Sequence, residues 1–382
     1  MKITGVICEY NPLHLGHKKQ LDYIRSVNGS ESGIVCVMSG NFVQRGHPAI
    51  MDEAVRAKAA ILCGADLVLE LPITASLSSA EGFASEGVRI LSSICDTLCF
   101  GAETAQADLL MQTAEYLLSP LFSQLLRKKL DTGISFPAAR QAALESAGMN
   151  AQFLSSPNNI LGVEYCKAIL SQNSSMDILP IYRQGDYHDT LANSKNPSAT
   201  AVRSLMLDGK PWQSYIPQEA LPCFENAPLH SLAAGERAVL ARLRCMSEPE
   251  FESLPHGSEG LWRKLMHAVH KEKTLEAIAQ TVKSKRYTRT RLDRMILCAY
   301  LGITKEILVQ QTPYIRVLAL NRRGREILKS ARTCGEFINI GQPCDHAYQQ
   351  LEKRWGDLYG LFSTGTPDAP GAESAYRVYC QE

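Results

Sequence analysis

The sequence predicts an α/β protein: a parallel sheet covered on both faces by helices, followed by a mainly α-helical C-terminal domain. Three observations carry that expectation. Apolar, β-branched runs take turns with helix-period segments through the first half of the chain. The alternation stops between Pro211 and Pro217, and beyond that stretch the apolar spacing is helical. The length of 382 residues is more than one ordinary core serves, while 45% hydrophobic and 21% charged residues describe a globular chain. The expected division is residues 1–213 and 214–382.

Each element has its reason. ITGVICEY is apolar and β-branched and ends at Asn11-Pro12, so it reads as a buried strand. HKKQLDYIRSV follows as a helix, with Leu21, Ile24 and Val27 at helical spacing. GIVCVMSG is a second strand. DEAVRAKAAILCG is a helix with Asp52 as its cap and Gly64 as its stop. ADLVLELP is a third strand, SAEGFASEGVRILSSI a helix, and DTLCFG a fourth strand ending in Gly101. One long helix is expected over residues 108–129 and another over NNILGVEYCKAILS. MDILPIYR is a fifth strand and SATAVRSLMLDG a short helix. Ligands of such sheets bind beyond the carboxyl ends of the strands, so the candidate site assembles from residues 9–17, 39–45, 101 and 183–188. Past the junction, SLAAGERAVLARL, LWRKLMHAVHKEKTLEAIAQTV and RTRLDRMILCAYLGI are helical, and the last residues run loose before a short edge strand.

Bulk properties exclude several classes. A net charge of +1 means that affinity for a polyanion must come from a local patch. The twelve cysteines are scattered, without a C-x-x-C pair or zinc spacing, which suits buried free thiols in a reducing cytoplasm. The first apolar run breaks at Glu9, too early for a signal peptide, and no segment reaches the ~20 apolar residues of a membrane span. No membrane partner is expected.

The stretch EYNPLHLGHKK places two histidines around one glycine between a strand and a helix. Backbone N–H groups at a helix N-terminus attract phosphate. Gly16 leaves room for a bulky ligand. His14 and His17 can hydrogen-bond phosphate oxygens, and donors fixed where charge develops lower the barrier to displacement at phosphorus. Lys18 and Lys19 add charge one step along the helix. Two competing readings remain: a metal site, for which no partner set of Asp, Cys or His is seen nearby, and surface histidines without a role.

The arrangement resembles the H-x-G-H nucleotidylyltransferase superfamily. Five blocks in order, GVICEYNPLHLGH, VMSGNFVQRGHPAI, GADLVLELP, SPNNILGVEY and SATAVR, resemble the tRNA(Met) cytidine acetate ligase family through the first half of the chain. The resemblance implies a Rossmann-like nucleotidylyltransferase domain over residues 1–213 that joins acetate to ATP, giving acetyl-adenylate and pyrophosphate. The N4 amine of the wobble cytidine of elongator tRNA(Met) then takes the acetyl group. By the same resemblance Ile7, Cys8, Glu9, Tyr10, Asn11, Pro12, Leu13, His14, Leu15, Gly16, His17, Lys18, Lys19 and Gln20 wrap the nucleotide, with His14 and His17 catalytic. Gly101, Asn158 and Arg183 are the remaining nucleotide contacts. Mg²⁺ is expected to accompany ATP, with no protein ligands identified. Two departures stand out: Leu13 where an aromatic residue is expected, and Ala199 where many relatives carry a second Ser, which weakens the case for Ser198.

Other residues complete the reading. Arg45 sits Gly-flanked in a loop after the second strand, suited to phosphate, carboxylate or RNA. Asn158 and Asn159 precede a helix, where capping explains one of them. Tyr187, His188 and Asp189 form either a hydrogen-bonded cluster or a turn. Thr200 and Arg203 share one side of a helix start, suited to a triphosphate, while Ser198 caps it. The run KSKRYTRTRLDR offers Lys283, Lys285, Arg286, Arg289 and Arg291 to tRNA, with Arg294 beside them and Tyr287 placed to stack on a base. Arg322, Arg323 and Arg325 add a second basic cluster. The rivals are an enzyme that adenylates a small metabolite without RNA, and a non-catalytic RNA-binding protein.

Overall fold

The five expected strands form, and they form one sheet. The computed structural model describes residues 1–149, 152–183, 198–284, 287–331 and 336–382. Its strands are β1 (Ile3–Cys8), β2 (Gly33–Ser39), β3 (Phe42–Val43), β4 (His47–Pro48), β5 (Leu67–Leu71), β6 (Thr97–Ala102), β7 (Asp177–Tyr182), β8 (Tyr314–Leu320), β9 (Glu336–Asn339) and β10 (Tyr379–Cys380). Strands β5-β2-β1-β6-β7 pair in parallel in that order, with Ile7 opposite Val37 and Gly101 opposite Ile181. From β1 the chain builds outward to β2 and β5, then returns to place β6 on the other flank. The crevice at this reversal lies over the carboxyl ends of β1 and β6.

Helices cover both faces, as alternation requires. Phe83 and Val88 of helix Ala80–Ser92 and Val163 and Tyr165 of helix Pro157–Ser171 pack with Ile7 and Phe100 on one face. Leu21 and Ile24 of helix Leu15–Asn28, Ala57 of helix Glu53–Leu62 and Val202 of helix Ala199–Leu207 pack with Val6 and Cys36 on the other. Asp52 caps its helix through a 2.9 Å bond from Val55 N–H. The long helix expected over 108–129 is instead two, Ala107–Leu118 and Pro120–Leu130. Ser119 caps the second and Pro120 occupies its first position, where a missing N–H costs nothing but the preceding helix must end. Among the described residues no helix is long and apolar enough to cross a membrane.

The sheet does not stop at residue 213. Strand β8 pairs antiparallel with β5, Leu320 opposite Leu67, and β9 and β10 pair parallel with β8. The expected C-terminal edge strand is β10; β8 and β9 are additions the apolar spacing did not reveal. The rest of the second half is helical around Val239, Leu243, Leu265, Leu297 and Trp355. Phe42 of the β3–β4 hairpin enters this helical core.

One buried cation ties the halves together. Arg316 of β8, 7% exposed, meets the carboxylates of Glu53, Glu70 and Glu373, with Glu53 at 2.7 Å and Glu352 at 3.9 Å. Burial raises the Glu352 pKa to about 7, against the pull of Arg316. Breaking such a cluster by removing its cation leaves uncompensated charge in the interior.

Candidate active site

Strand β1 ends at Cys8, and the chain turns through Tyr10 to His14, which begins helix Leu15–Asn28. His14 is the N-cap. Its Nδ1 accepts from Gly16 N–H at 3.0 Å, and its own backbone N–H donates to His17 Nδ1 at 3.2 Å. This is a reciprocal capping box in which histidines take the places Ser and Glu usually fill. The two rings stack, centroids 3.8 Å apart and planes 24° apart.

The capping fixes the chemistry of the rings. A ring nitrogen that accepts a hydrogen bond carries no proton, so each neutral imidazole holds its proton on Nε2. Burial first, then Arg183 and Arg203, lowers the His14 pKa to about 3. Burial, His14 and Arg183 hold His17 well below its ordinary value. Both rings are therefore neutral Nε2–H donors at pH 7. Among the described residues His14 Nε2 is buried without a hydrogen-bond partner, an unmet donor that an anionic oxygen would satisfy. The glycine between them also makes room for the ring: a Cβ at Gly16 would lie 2.9 Å from His14 Cε1.

A cavity of about 500 Å³ opens over the carboxyl ends of β1, β6 and β7. Ile7, Cys8, Glu9, Tyr10, Asn11, His14, Gly16, His17, Lys19, Gln20, Gly101, Asn158, Arg183, Thr200 and Arg203 line it. Four residues expected there do not. Pro12 and Leu13 are buried beneath the turn, Leu13 with no exposure at all. Leu15 lies half-buried off the cavity, and Lys18 pairs with Asp22 one turn along its helix. They sit between lining residues in the chain but face core or solvent.

Each distant contributor has a local cause. Arg203 donates to Asn11 C=O at 2.6 Å and to Thr200 Oγ1 at 3.1 Å, which binds the start of helix Ala199–Leu207 to the β1 turn. Ser198 caps that helix, accepting from Ala201 N–H at 3.1 Å, and also lines the cavity. Arg183 N–H donates to Ala102 C=O at 2.9 Å, extending the β6–β7 ladder one step, so its side chain stands over the strand ends. A Cβ at Gly101 would lie 3.8 Å from Arg183 Cδ, an ordinary contact. Asn158 Nδ2 donates to Glu103 Oε1 at 2.7 Å, while Asn159 is buried and pins Thr104 and Phe153. Tyr23, Phe83, Phe100, Leu161, Tyr165 and Tyr182 also line the cavity. Tyr23, one turn beyond Lys19 and Gln20, was legible from helical spacing; the others are brought in only by tertiary packing. Tyr187, His188, Asp189, Lys285 and Arg286 lie outside the described residues.

The β3–β4 hairpin forms one side of the mouth. Gln44 N–H donates to Glu9 Oε1 at 2.9 Å, and Arg45 lines the cavity. Gly46, with φ +79°, rests on the backbone of Arg294, where a Cβ has no room. Burial, then Arg203, Arg289 and Arg45, lowers the His47 pKa to about 4, so these three cations gather around it. Arg289 is fixed there by Asp293 and Glu276, both at 2.8 Å. Arg291 donates to His256 C=O at 2.9 Å and to Ser258 Oγ at 2.8 Å. Lys283 is exposed. Tyr287 is not a stacking surface: it is 4% exposed, its hydroxyl donates to Glu259 C=O, and Arg291 covers its ring. The second basic cluster also falls elsewhere. Arg323 reaches Glu31 and Asp66 at the amino ends of the parallel strands, away from the cavity. Among the described residues no three His, Cys, Asp or Glu side chains form a group able to hold a metal ion.

Residues 1–364 match the family model described as HIGH Nucleotidyl Transferase. A tRNA(Met) cytidine acetate ligase of Clostridium perfringens is 36% identical over 362 residues, 89% of each chain. That of Clostridium novyi is 36% identical over 92% of this chain and 96% of its own. The chain belongs to the tRNA(Met) cytidine acetate ligase family. Its fold agrees. The crystal structure of Thermotoga maritima TmcAL in its apo form matches with a TM-score of 0.90 at 27% identity, covering 100% of this chain and 99% of that one. The same protein bound with alpha-thio ATP matches with a TM-score of 0.88, at the same identity and coverage.

Proposed function

We propose that this protein is an ATP-dependent ligase that forms N4-acetylcytidine at the wobble position of elongator tRNA(Met), with acetate as acyl donor and acetyl-adenylate as intermediate. The observation that carries the reading is the pair of stacked, neutral imidazoles, each fixed as an Nε2–H donor by backbone capping, in a cavity with Arg183 and Arg203. An acetate oxygen attacks the α-phosphorus of ATP. The bond from that phosphorus to the bridging oxygen breaks, and pyrophosphate leaves with the electron pair. Charge grows on the phosphoryl oxygens, where His14, His17 and the two arginines stand ready without reorganisation. The cytidine N4 then attacks the acetyl carbonyl, loses a proton, and AMP departs.

Adenylation falls to residues 1–213 and tRNA holding to residues 214–382, meeting at the hairpin mouth. Arg45 and Arg289 gather there and suit a nucleic-acid backbone entering above the cavity. Mg²⁺ would accompany the triphosphate and offset its charge, keeping much of its water and needing few protein ligands. A protein that consumes ATP and tRNA works in the cytoplasm.

The test is isotope exchange between pyrophosphate and ATP, followed by incubation with radiolabelled acetate and total tRNA. Exchange that requires acetate, and label in N4-acetylcytidine, are expected. His17→Ala should lower exchange by at least ~10²-fold. Exchange driven by another metabolite, or full tRNA acetylation by that variant, would refute the proposal.

A further inference from the structure

The cavity lining falls into two chemically different groups, and the apolar one packs together in the core. One holds His14, His17, Thr200, Arg183 and Arg203. The other is almost all carbon: Ile7 at the end of β1, Phe83, Phe100 in β6, Leu161 and the ring of Tyr165. Ile7, Phe83, Phe100 and Tyr165 are between 3% and 9% exposed, and Leu161 is half-buried at their edge. The wall behind them is stiff. A Cβ at Gly162 would come within 2.7 Å of Phe100 Cε2, and one at Gly87 within 2.6 Å of Ile7 Cδ1. Two helices therefore lie with bare backbone directly on these side chains. Phe100 and Tyr165 add ring contact at 5.4 Å between centroids. A surface packed this closely resists widening by even one methylene.

We propose that this carbon-lined end is the acyl subsite, receiving the methyl group of acetate and limiting the acid to two carbons, with Leu161 closing it. The inference rests on the acetate ligase reading above. The carboxylate of a bound acid would then face His17 and the phosphate end, while its methyl meets the carbon of Ile7, Phe83, Phe100 and Leu161. A nucleobase fits this end less well. Four of the five side chains offer no polar atom, and the hydrogen-bonding edge of a base would go unmet there. A methyl group has no such need.

The experiment is pyrophosphate–ATP exchange driven by acetate, propionate or butyrate, in the wild type, Leu161→Ala, and Phe83→Leu as a second variant that keeps the core filled. Wild-type exchange should favour acetate over propionate by at least tenfold, the scale of one methylene in an apolar pocket, about 10–200-fold. In Leu161→Ala, and more weakly in Phe83→Leu, the propionate-to-acetate ratio of kcat/KM should rise at least tenfold and threefold respectively. Leu161→Phe should raise the KM for acetate. An unchanged acid ratio together with a raised KM for ATP would assign this end to the nucleotide base and overturn the proposal. Wild-type exchange that no carboxylic acid supports would instead refute the ligase reading beneath it.

Discussion

Gly16→Ala separates the two jobs of the H-x-G-H turn. Position 16 has ordinary helical backbone, so alanine brings no strain of its own. Its Cβ would lie 2.9 Å from His14 Cε1 and 3.1 Å from Nδ1, where ordinary contact begins at 3.4 Å. The His14 ring must retreat by a few tenths of an ångström. That stretches the 3.0 Å bond from the residue 16 N–H and disturbs the 3.8 Å stack on His17. Losing one capping bond costs about 1 kcal/mol, and alanine's helix preference over glycine returns about as much. The melting temperature should therefore move by no more than about 3 °C. Activity should not be spared, because small misplacements of a preorganised group cost up to about 10²-fold. Acetate-dependent exchange should drop roughly 10- to 100-fold, mainly in kcat. A variant that melts normally and exchanges within threefold of wild type would refute the claim that the ring's exact seat matters.

Three further outcomes are expected. His14 binds its proton near pH 3 when folded and near 6.5 when unfolded, so its contribution to stability is whole above pH 6.5 and is lost as the pH falls toward 3. His14→Asn keeps a capping acceptor and should flatten the stability curve between pH 6.5 and 4 by on the order of 2 kcal/mol, measured by urea melts; an identical curve would show that His14 is not the titrating group. Arg316→Met should cost about 3 kcal/mol or more at pH 8, with the loss shrinking in acid as the carboxylates protonate, and a neutral effect would deny the cluster its tying role. Arg289→Ala should weaken tRNA binding and reduce its salt slope by about one, while acetate-dependent exchange, which needs no RNA, continues; an unchanged slope would remove Arg289 from the RNA path.

Much of the sheet was legible because its first five long strands and their helices are consecutive, and local periodicity reports consecutive elements well. YIRVLAL escaped for the opposite reason. Its partner β5 lies some 250 residues upstream, a run of helices precedes it, and its one charge is buried among carboxylates rather than marking a surface. The cavity lining was legible, in most of its residues, where the chain itself is the scaffold, from Ile7 to Gln20. Leu13 and Lys18 show the limit: sharing a stretch with lining residues does not decide which way a side chain faces. The basic run was legible as charge but not in its partners. Arg289 and Arg291 look like free charge in sequence, yet Asp293, Glu276 and the carbonyl of His256 fold back onto them.

The antiparallel β8 has a consequence for anyone who would cut this protein in two. A fragment ending near residue 213 would expose the bare edge of β5 to any passing strand, and would leave Glu53 and Glu70 facing each other with no guanidinium between them. During synthesis the same is true of the nascent chain until Tyr314–Leu320 emerge. The parallel sheet of the first half is thus completed by a strand from the second, and a cut between them would divide one sheet.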